Sequence, residues 1–177
     1  VPDRLVESSI EGVHVLRLTP HPDERGRFQE AYKRSWIPQA PEMVQSSLSY
    51  SRQGVLRGLH FHKRQADYWT VARGHCRVTL VDIRSESPTF RRTMQFEMSE
   101  ASPAGVYIPT LVAHGLFAVE DMTLGYLVTQ EYDPANPDEF GIAWDDPELA
   151  IDWGTDAPIL SQRDRENPAL AEVLATL

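Results

Sequence analysis

Four of the six histidines stand where imidazole chemistry could be done: His60 and His62 in one β-rich stretch, His75 opening the next, and His114 well downstream. An imidazole can exchange a proton near neutral pH or offer a lone pair to a metal. Residues two apart on a strand face the same side, so His60 and His62 project together. Arg57 then points to the other face unless a bulge intervenes. A lone histidine is more often a satisfied core or surface group, and a close pair weakens that reading. A second segment, Asp23 to Glu30, sets Arg25 and Arg27 around Gly26, a turn that could offer guanidinium groups to an anion. Its acidic neighbours make local salt bridges an equally good reading.

Short strands must position these groups. Thirteen prolines and ten glycines punctuate the chain, and the segments between them alternate or are β-branched and aromatic. The pattern predicts strands at 13–18, 26–32, 44–50, 55–62, 68–72, 77–82, 94–98, 112–119 and 123–129. Helix signals are confined to a loose one around Arg34 and to 168–177, where Asn167 can cap and Pro168 can open the helix. This predicts an all-β sandwich or barrel with short peripheral helices. The 177 residues fit one domain, 1–177, with its own core. Seventeen Lys and Arg against twenty-six Asp and Glu give a formal charge of -9. That balance argues against nucleic acid as a partner, and an anionic ligand must be held by local arginines. The single cysteine, Cys76, cannot form an intrachain disulfide. No apolar run is long enough to span a membrane and no secretory signal is visible, so a cytoplasmic location is expected.

More specific is a series of motifs. Gln45 is followed by Gly54-Val55-Leu56-Arg57-Gly58-Leu59-His60-Phe61, then Val81-Asp82-Ile83-Arg84 with Ser87-Pro88-Thr89-Phe90, Ile108-Pro109 leading to His114-Gly115, and Tyr126 before Tyr132-Asp133-Pro134. Trp144-Asp145-Asp146-Pro147 and Leu160-Ser161-Gln162-Arg163-Asp164 complete it. In this order, from about residue 12 to 168, the chain resembles the dTDP-4-dehydrorhamnose 3,5-epimerase family. The resemblance implies a cupin-type double-stranded β-helix, or jelly roll, usually a homodimer. The implied activity is cofactor-independent inversion at C3 and/or C5 of a nucleotide-linked, dTDP-type 4-keto-6-deoxyhexose in deoxysugar biosynthesis, with no metal.

That reaction removes a proton beside a ketone and returns one to the opposite face. It needs a base, a group that orients the base, and support for the enolate oxygen. By similarity His60 is the base, Asp164 its orienting carboxylate and Tyr126 the acid. A phenol suits the last role because an ordinary pKa near 10 keeps it protonated. Arg25, Phe28, Glu30, Gln45, Arg57, His114, Tyr132 and Glu139 match substrate-binding positions.

The sequence also departs from the family. Asp67 stands where a lysine is common, so a cation near the ketone oxygen becomes an anion. Lys63 and Arg64 are the nearest replacements, and a salt bridge to Lys63, Arg64 or Arg73 is the plain role for Asp67. The spacing from Gly54 through His60, His62 and Asp67 to Gly74, with Pro109 and His114, resembles cupin metal-binding motifs. An alternative reading follows, in which His60, His62, Asp67 and His114 hold a metal for a different isomerisation or oxygenation. Its difficulty is that His60 cannot be both ligand and base.

Overall fold

Period-two alternation between glycine and proline turns folds as the sequence predicts into strands. The computed structural model describes residues 5, 6 and 8–177. Among them are the strands β1 (Leu5–Val6), β2 (His14–Arg17), β3 (Pro20–Asp23), β4 (Gly26–Gln29), β5 (Gln45–Ser51), β6 (Leu56–Phe61) and β7 (Asp67–Arg73). They continue with β8 (His75–Asp82), β9 (Thr93–Ser99), β10 (Ala104–Ile108), β11 (Val112–Ala118), β12 (Met122–Val128) and β13 (Phe140–Gly141). Helices α1 (Gln162–Glu166) and α2 (Leu170–Leu174) are short and peripheral.

The strands form a six-stranded sheet in the order β1-β2-β10-β7-β12-β5, a five-stranded sheet in the order β13-β6-β11-β8-β9, and the separate β3–β4 hairpin. Successive side chains point to opposite faces, and in the central strands both sets are buried. The inner faces of the two large sheets share a core, with Val15, Trp69, Val106 and Leu124 from one sheet against Val78, Leu80, Met98 and Leu116 from the other. The outer face of the five-stranded sheet is covered by the C-terminal segment, where Trp153, Leu170 and Val173 bury Leu59, Phe61 and Ala113. The outer face of the six-stranded sheet is covered by a 3-10 turn at Arg34–Trp36, where Trp36 and Ile37 pack with Tyr68 and Tyr107. This is the cupin-type jelly roll.

Some elements differ from expectation. The helix expected over 168–177 is confined to α2, and its N-cap is Ala169. Asn167 instead ends α1, whose own N-cap is Ser161, so Pro168 lies between two helices. The loose helix signal around Arg34 is the 3-10 turn. β10 was not expected, because Ala104 and Gly105 are weak strand formers. Gly105 is nevertheless required there, since a Cβ would lie 1.8 Å from the Tyr68 hydroxyl.

Candidate active site

One cavity of about 640 Å³ opens between the two large sheets, within the usual range for small-ligand sites. The five-stranded sheet contributes Arg57 and His60 from β6, then His62 just beyond it, and His114 and Leu116 from β11. Gln45, Asp67, Trp69, Leu124 and Tyr126 line it from the other sheet, and residues 130–139 form its rim.

A bulge decides the face that Arg57 presents. His114 pairs with His60 and Leu116 with Arg57, so β6 spends three steps where β11 spends two. The extra residue is Gly58, at φ +121, where a Cβ would lie 2.6 Å from Gly115 Cα and 2.7 Å from the His114 carbonyl oxygen. Only glycine fits there. The parity change brings Arg57 onto the wall that carries His60 and His62. Arg57 Nε donates to Ser51 Oγ at 2.9 Å and a terminal nitrogen donates to the Tyr50 carbonyl at 2.9 Å, which holds the guanidinium at the cavity.

His60 and Asp164, a hundred residues apart, meet. His60 Nε2 lies 2.6 Å from Asp164 Oδ1. The side chain of Asp164 is only 5% exposed. Ser161 fixes it by donating its hydroxyl to Oδ2 at 2.8 Å and accepting the Asp164 backbone N–H at 3.1 Å, as the cap of α1. Burial works to raise the Asp164 pKa, but the hydrogen bond and charge of His60, the Ser161 hydroxyl and Arg163 outweigh it and hold it below the usual carboxylate range. A carboxylate only accepts, so Nε2 is the nitrogen that donates in this bond. Glu139 Oε1 lies 3.6 Å from Nδ1, and its other oxygen is 2.6 Å from Arg163.

Tyr126 reaches the cavity from the opposing sheet, in register between Trp69 and Ser47. Gln45 Oε1 accepts the Tyr132 backbone N–H at 2.9 Å and so ties the rim to β5. Arg25, Phe28 and Glu30 do not line the cavity of this chain. The β3–β4 hairpin leaves Phe28 67% exposed, Arg25 pairs with Asp23, and Glu30 pairs with Lys33.

The plain role expected for Asp67, a salt bridge to Lys63, Arg64 or Arg73, is not what the structure contains. Its carboxylate accepts Gln65 Nε2 at 2.8 Å and Trp69 Nε1 at 3.0 Å, and faces His62 Nε2 and His114 Nε2 at 3.8 and 3.9 Å. Neither replacement suggested for the lysine turns to this point. The Lys63 ammonium sits over the Phe140 ring and Arg64 pairs with Asp138. Burial lowers the His114 pKa to about 4, against the opposing pull of Asp67.

Sequence reasoning missed Asp138, whose carboxylate accepts the backbone N–H groups of Lys63, Arg64 and Gln65 and so joins the segment after β6 to the rim. Nothing in the local pattern marks it. Ser161 was missed as well, although Ser-x-x-Asp is a helix-start signal that could have found it.

A jelly roll whose cavity sets an imidazole–carboxylate pair on one wall and a phenol on the other is equipped for acid–base chemistry. The family profile described as dTDP-4-dehydrorhamnose 3,5-epimerase matches residues 7–172. The chain is 38% identical over 177 residues to a dTDP-4-dehydrorhamnose 3-epimerase of Streptomyces niveus, covering 96% of this chain and 84% of the relative. It is 37% identical over 149 residues to the spore coat polysaccharide biosynthesis protein SpsL of Bacillus subtilis, covering 83% and 98%. The crystal structure of NovW, a 4-keto-6-deoxy sugar epimerase from Streptomyces spheroides, superposes with a TM-score of 0.90 at 37% identity, covering 98% of this chain and 90% of that one. The chain therefore belongs to the dTDP-4-dehydrorhamnose 3,5-epimerase family, an isomerase family of deoxysugar biosynthesis. The alternative of a metal-dependent cupin with another reaction is not favoured by these relatives, and His60, one of its four ligands, is taken up by Asp164.

Proposed function

We propose that this protein inverts C3, C5 or both centres of a dTDP-linked 4-keto-6-deoxyhexose. His60 Nδ1 takes the proton from the carbon beside the ketone while Asp164 accepts the Nε2 hydrogen bond and stabilises the imidazolium that forms. The electron pair passes to the keto oxygen. Tyr126 then donates its phenolic proton to the opposite face of that carbon, the ketone re-forms, and solvent restores both groups to their starting protonation. The observation that carries this reading is the arrangement of His60 and Asp164 on one wall with Tyr126 on the other. A planar enolate between the walls has one face to each.

Arg57 supplies cationic donors for the diphosphate in a chain whose overall charge repels anions, and Gln45, His114, Tyr132 and Glu139 border the same space. The active form we propose is a homodimer in which Arg25, Phe28 and Glu30 of one copy complete the cavity of its partner. Support comes from the exposed Phe28 and from Val44, Leu48 and Tyr50, exposed apolar groups on or beside the edge strand β5. A cytoplasmic setting belongs to the same proposal, consistent with the free buried thiol of Cys76. Among the described residues no helix is long and apolar enough to cross a membrane.

The test is nuclear magnetic resonance of dTDP-4-keto-6-deoxyglucose incubated with the protein in heavy water. The expected result is loss of the C3 signal, the C5 signal or both, with couplings of the inverted product. Unchanged signals and couplings would contradict the proposal.

A further inference from the structure

His62, Asp67 and His114 are not used by the proton transfers above, yet they converge. One ligand atom from each lies within 4.8 Å of the others. They come from just beyond the end of β6, the start of β7 and the middle of β11, so both sheets contribute, and all three line the cavity.

The hydrogen bonds of the two imidazoles fix their tautomers. His62 Nδ1 is bonded to the Asp138 carbonyl and His114 Nδ1 to the Val112 carbonyl. A carbonyl only accepts, so both Nδ1 atoms carry hydrogens and both Nε2 atoms turn lone pairs toward the cavity. Those lone pairs face a carboxylate at 3.8 and 3.9 Å. Three electron-rich groups in one place repel one another unless something positive lies among them. Gln65 Nε2 offers hydrogens to Asp67 Oδ1 at 2.8 Å and to His62 Nε2 at 3.2 Å, but among the described residues no donor reaches His114 Nε2.

We infer that His62 Nε2, His114 Nε2 and an Asp67 carboxylate oxygen bind one divalent first-row metal ion, with its open coordination positions facing the cavity. Two neutral imidazoles and one carboxylate are the ligand types that zinc, iron, cobalt and manganese take. Tetrahedral ligands about 2.1 Å from a metal are spaced roughly 3.4 Å apart, so the observed spacings close with small side-chain rotations once the Gln65 amide turns aside. His60 is not a ligand and remains free to act as base. Resting on the proposed function, the bound ion would supply Lewis-acid support for the keto oxygen, the service lost where Asp67 replaces a lysine.

The test uses the whole protein, stripped with a chelator and reloaded with Zn²⁺ alone or Co²⁺ alone. Metal per chain is read by inductively coupled plasma mass spectrometry after desalting, and the cobalt form by its visible absorption. The expected result is one equivalent per chain in the wild type, a cobalt spectrum of low-symmetry nitrogen and oxygen ligation, and at least tenfold weaker binding in Asp67→Asn and His62→Ala. Less than a tenth of an equivalent in the reloaded wild type would overturn the site, as would unchanged affinity in both variants. The wild-type stoichiometry and spectrum decide the matter even if a variant fails to fold. Deuterium exchange into the sugar, read on the same samples, separates the two claims: exchange without metal binding sinks the site alone, and metal binding without exchange by either form sinks the epimerase reading alone.

Discussion

Replacing Asp164 by asparagine tests whether the carboxylate behind His60 contributes to catalysis or only to packing. The amide is nearly isosteric and can keep its oxygen on His60 Nε2 while its nitrogen donates to Ser161 Oγ, which now lies 2.8 Å from Oδ2. What it removes is the negative charge, 2.6 Å from Nε2 at nearest approach. That charge matters most in the transition state, where His60 takes the substrate proton and gains positive charge. Exchanging a charged for a neutral hydrogen bond costs about 1–2 kcal/mol. The Coulomb attraction between charge centres roughly 4 Å apart at an effective dielectric of 20 is about 4 kcal/mol, which sets the upper bound. At 1.36 kcal/mol per tenfold in rate, kcat should fall by between about 10-fold and 10³-fold. KM should change less than kcat, since Asp164 does not line the cavity. The assay is the initial rate of deuterium uptake into the nucleotide sugar under saturating substrate, with unfolding followed separately to establish that the variant is folded. A folded Asp164→Asn protein with kcat within threefold of wild type would refute the reasoning.

Other perturbations have equally definite outcomes. Tyr126→Phe removes the donor on one wall and leaves the base on the other, so deuterium should still enter the sugar while inversion falls by at least 10²-fold; inversion at the wild-type rate, read from product couplings, would exclude Tyr126 as the acid. Gly58→Ala forces a Cβ to within 2.6 Å of Gly115 Cα, and should destabilise the fold by about 2 kcal/mol or more in urea and reduce activity with it, because Arg57 and His60 depend on the bulge. The buried carboxylate of Asp82 accepts two bonds from Arg84 side-chain nitrogens at 2.8 Å and one each from Ser87 and Thr89 at 2.6 Å. Burial works to raise its pKa, but these bonds prevail and bring it from 3.8 to about 2. A lowered folded-state pKa contributes stability above the unfolded value and loses it as pH falls through the folded one, so about 2.5 kcal/mol should disappear progressively between about pH 5 and pH 1. In Asp82→Asn that component of the acid dependence of the urea midpoint should be missing.

Much of the fold could be read from the chain because the strands alternate cleanly between turns. Thr79 and Leu80, or Tyr126 and Leu127, differ in face as period two requires. β10 escaped because its glycine serves contact with Tyr68 rather than strand propensity, and α1 because five residues are too few for a helical period. His60 could be singled out by type, but its pairing with Asp164 depends on the C-terminal segment folding back over the five-stranded sheet, a long-range contact that no local pattern encodes. The same limit applied to Arg57, whose face turned on a bulge visible in sequence only as a glycine between Arg57 and Leu59. For Asp67 the plain reading failed for an energetic reason. Buried among Gln65, Trp69 and two histidines, it has no lysine or arginine paired with it among the described residues, whereas the lysine and arginines near it in sequence are directed to the rim or the surface.

The proposed reaction turns on His60 moving a carbon-bound proton. Its most direct test is mass spectrometry of dTDP-4-keto-6-deoxyglucose incubated in heavy water with wild-type protein and with folded His60→Asn, counting deuterium above a control without protein. One or two atoms gained with the wild type and none with the variant is the expected result, the number telling one centre from two. Uptake by the variant at the wild-type rate, or no uptake by either protein, would contradict it.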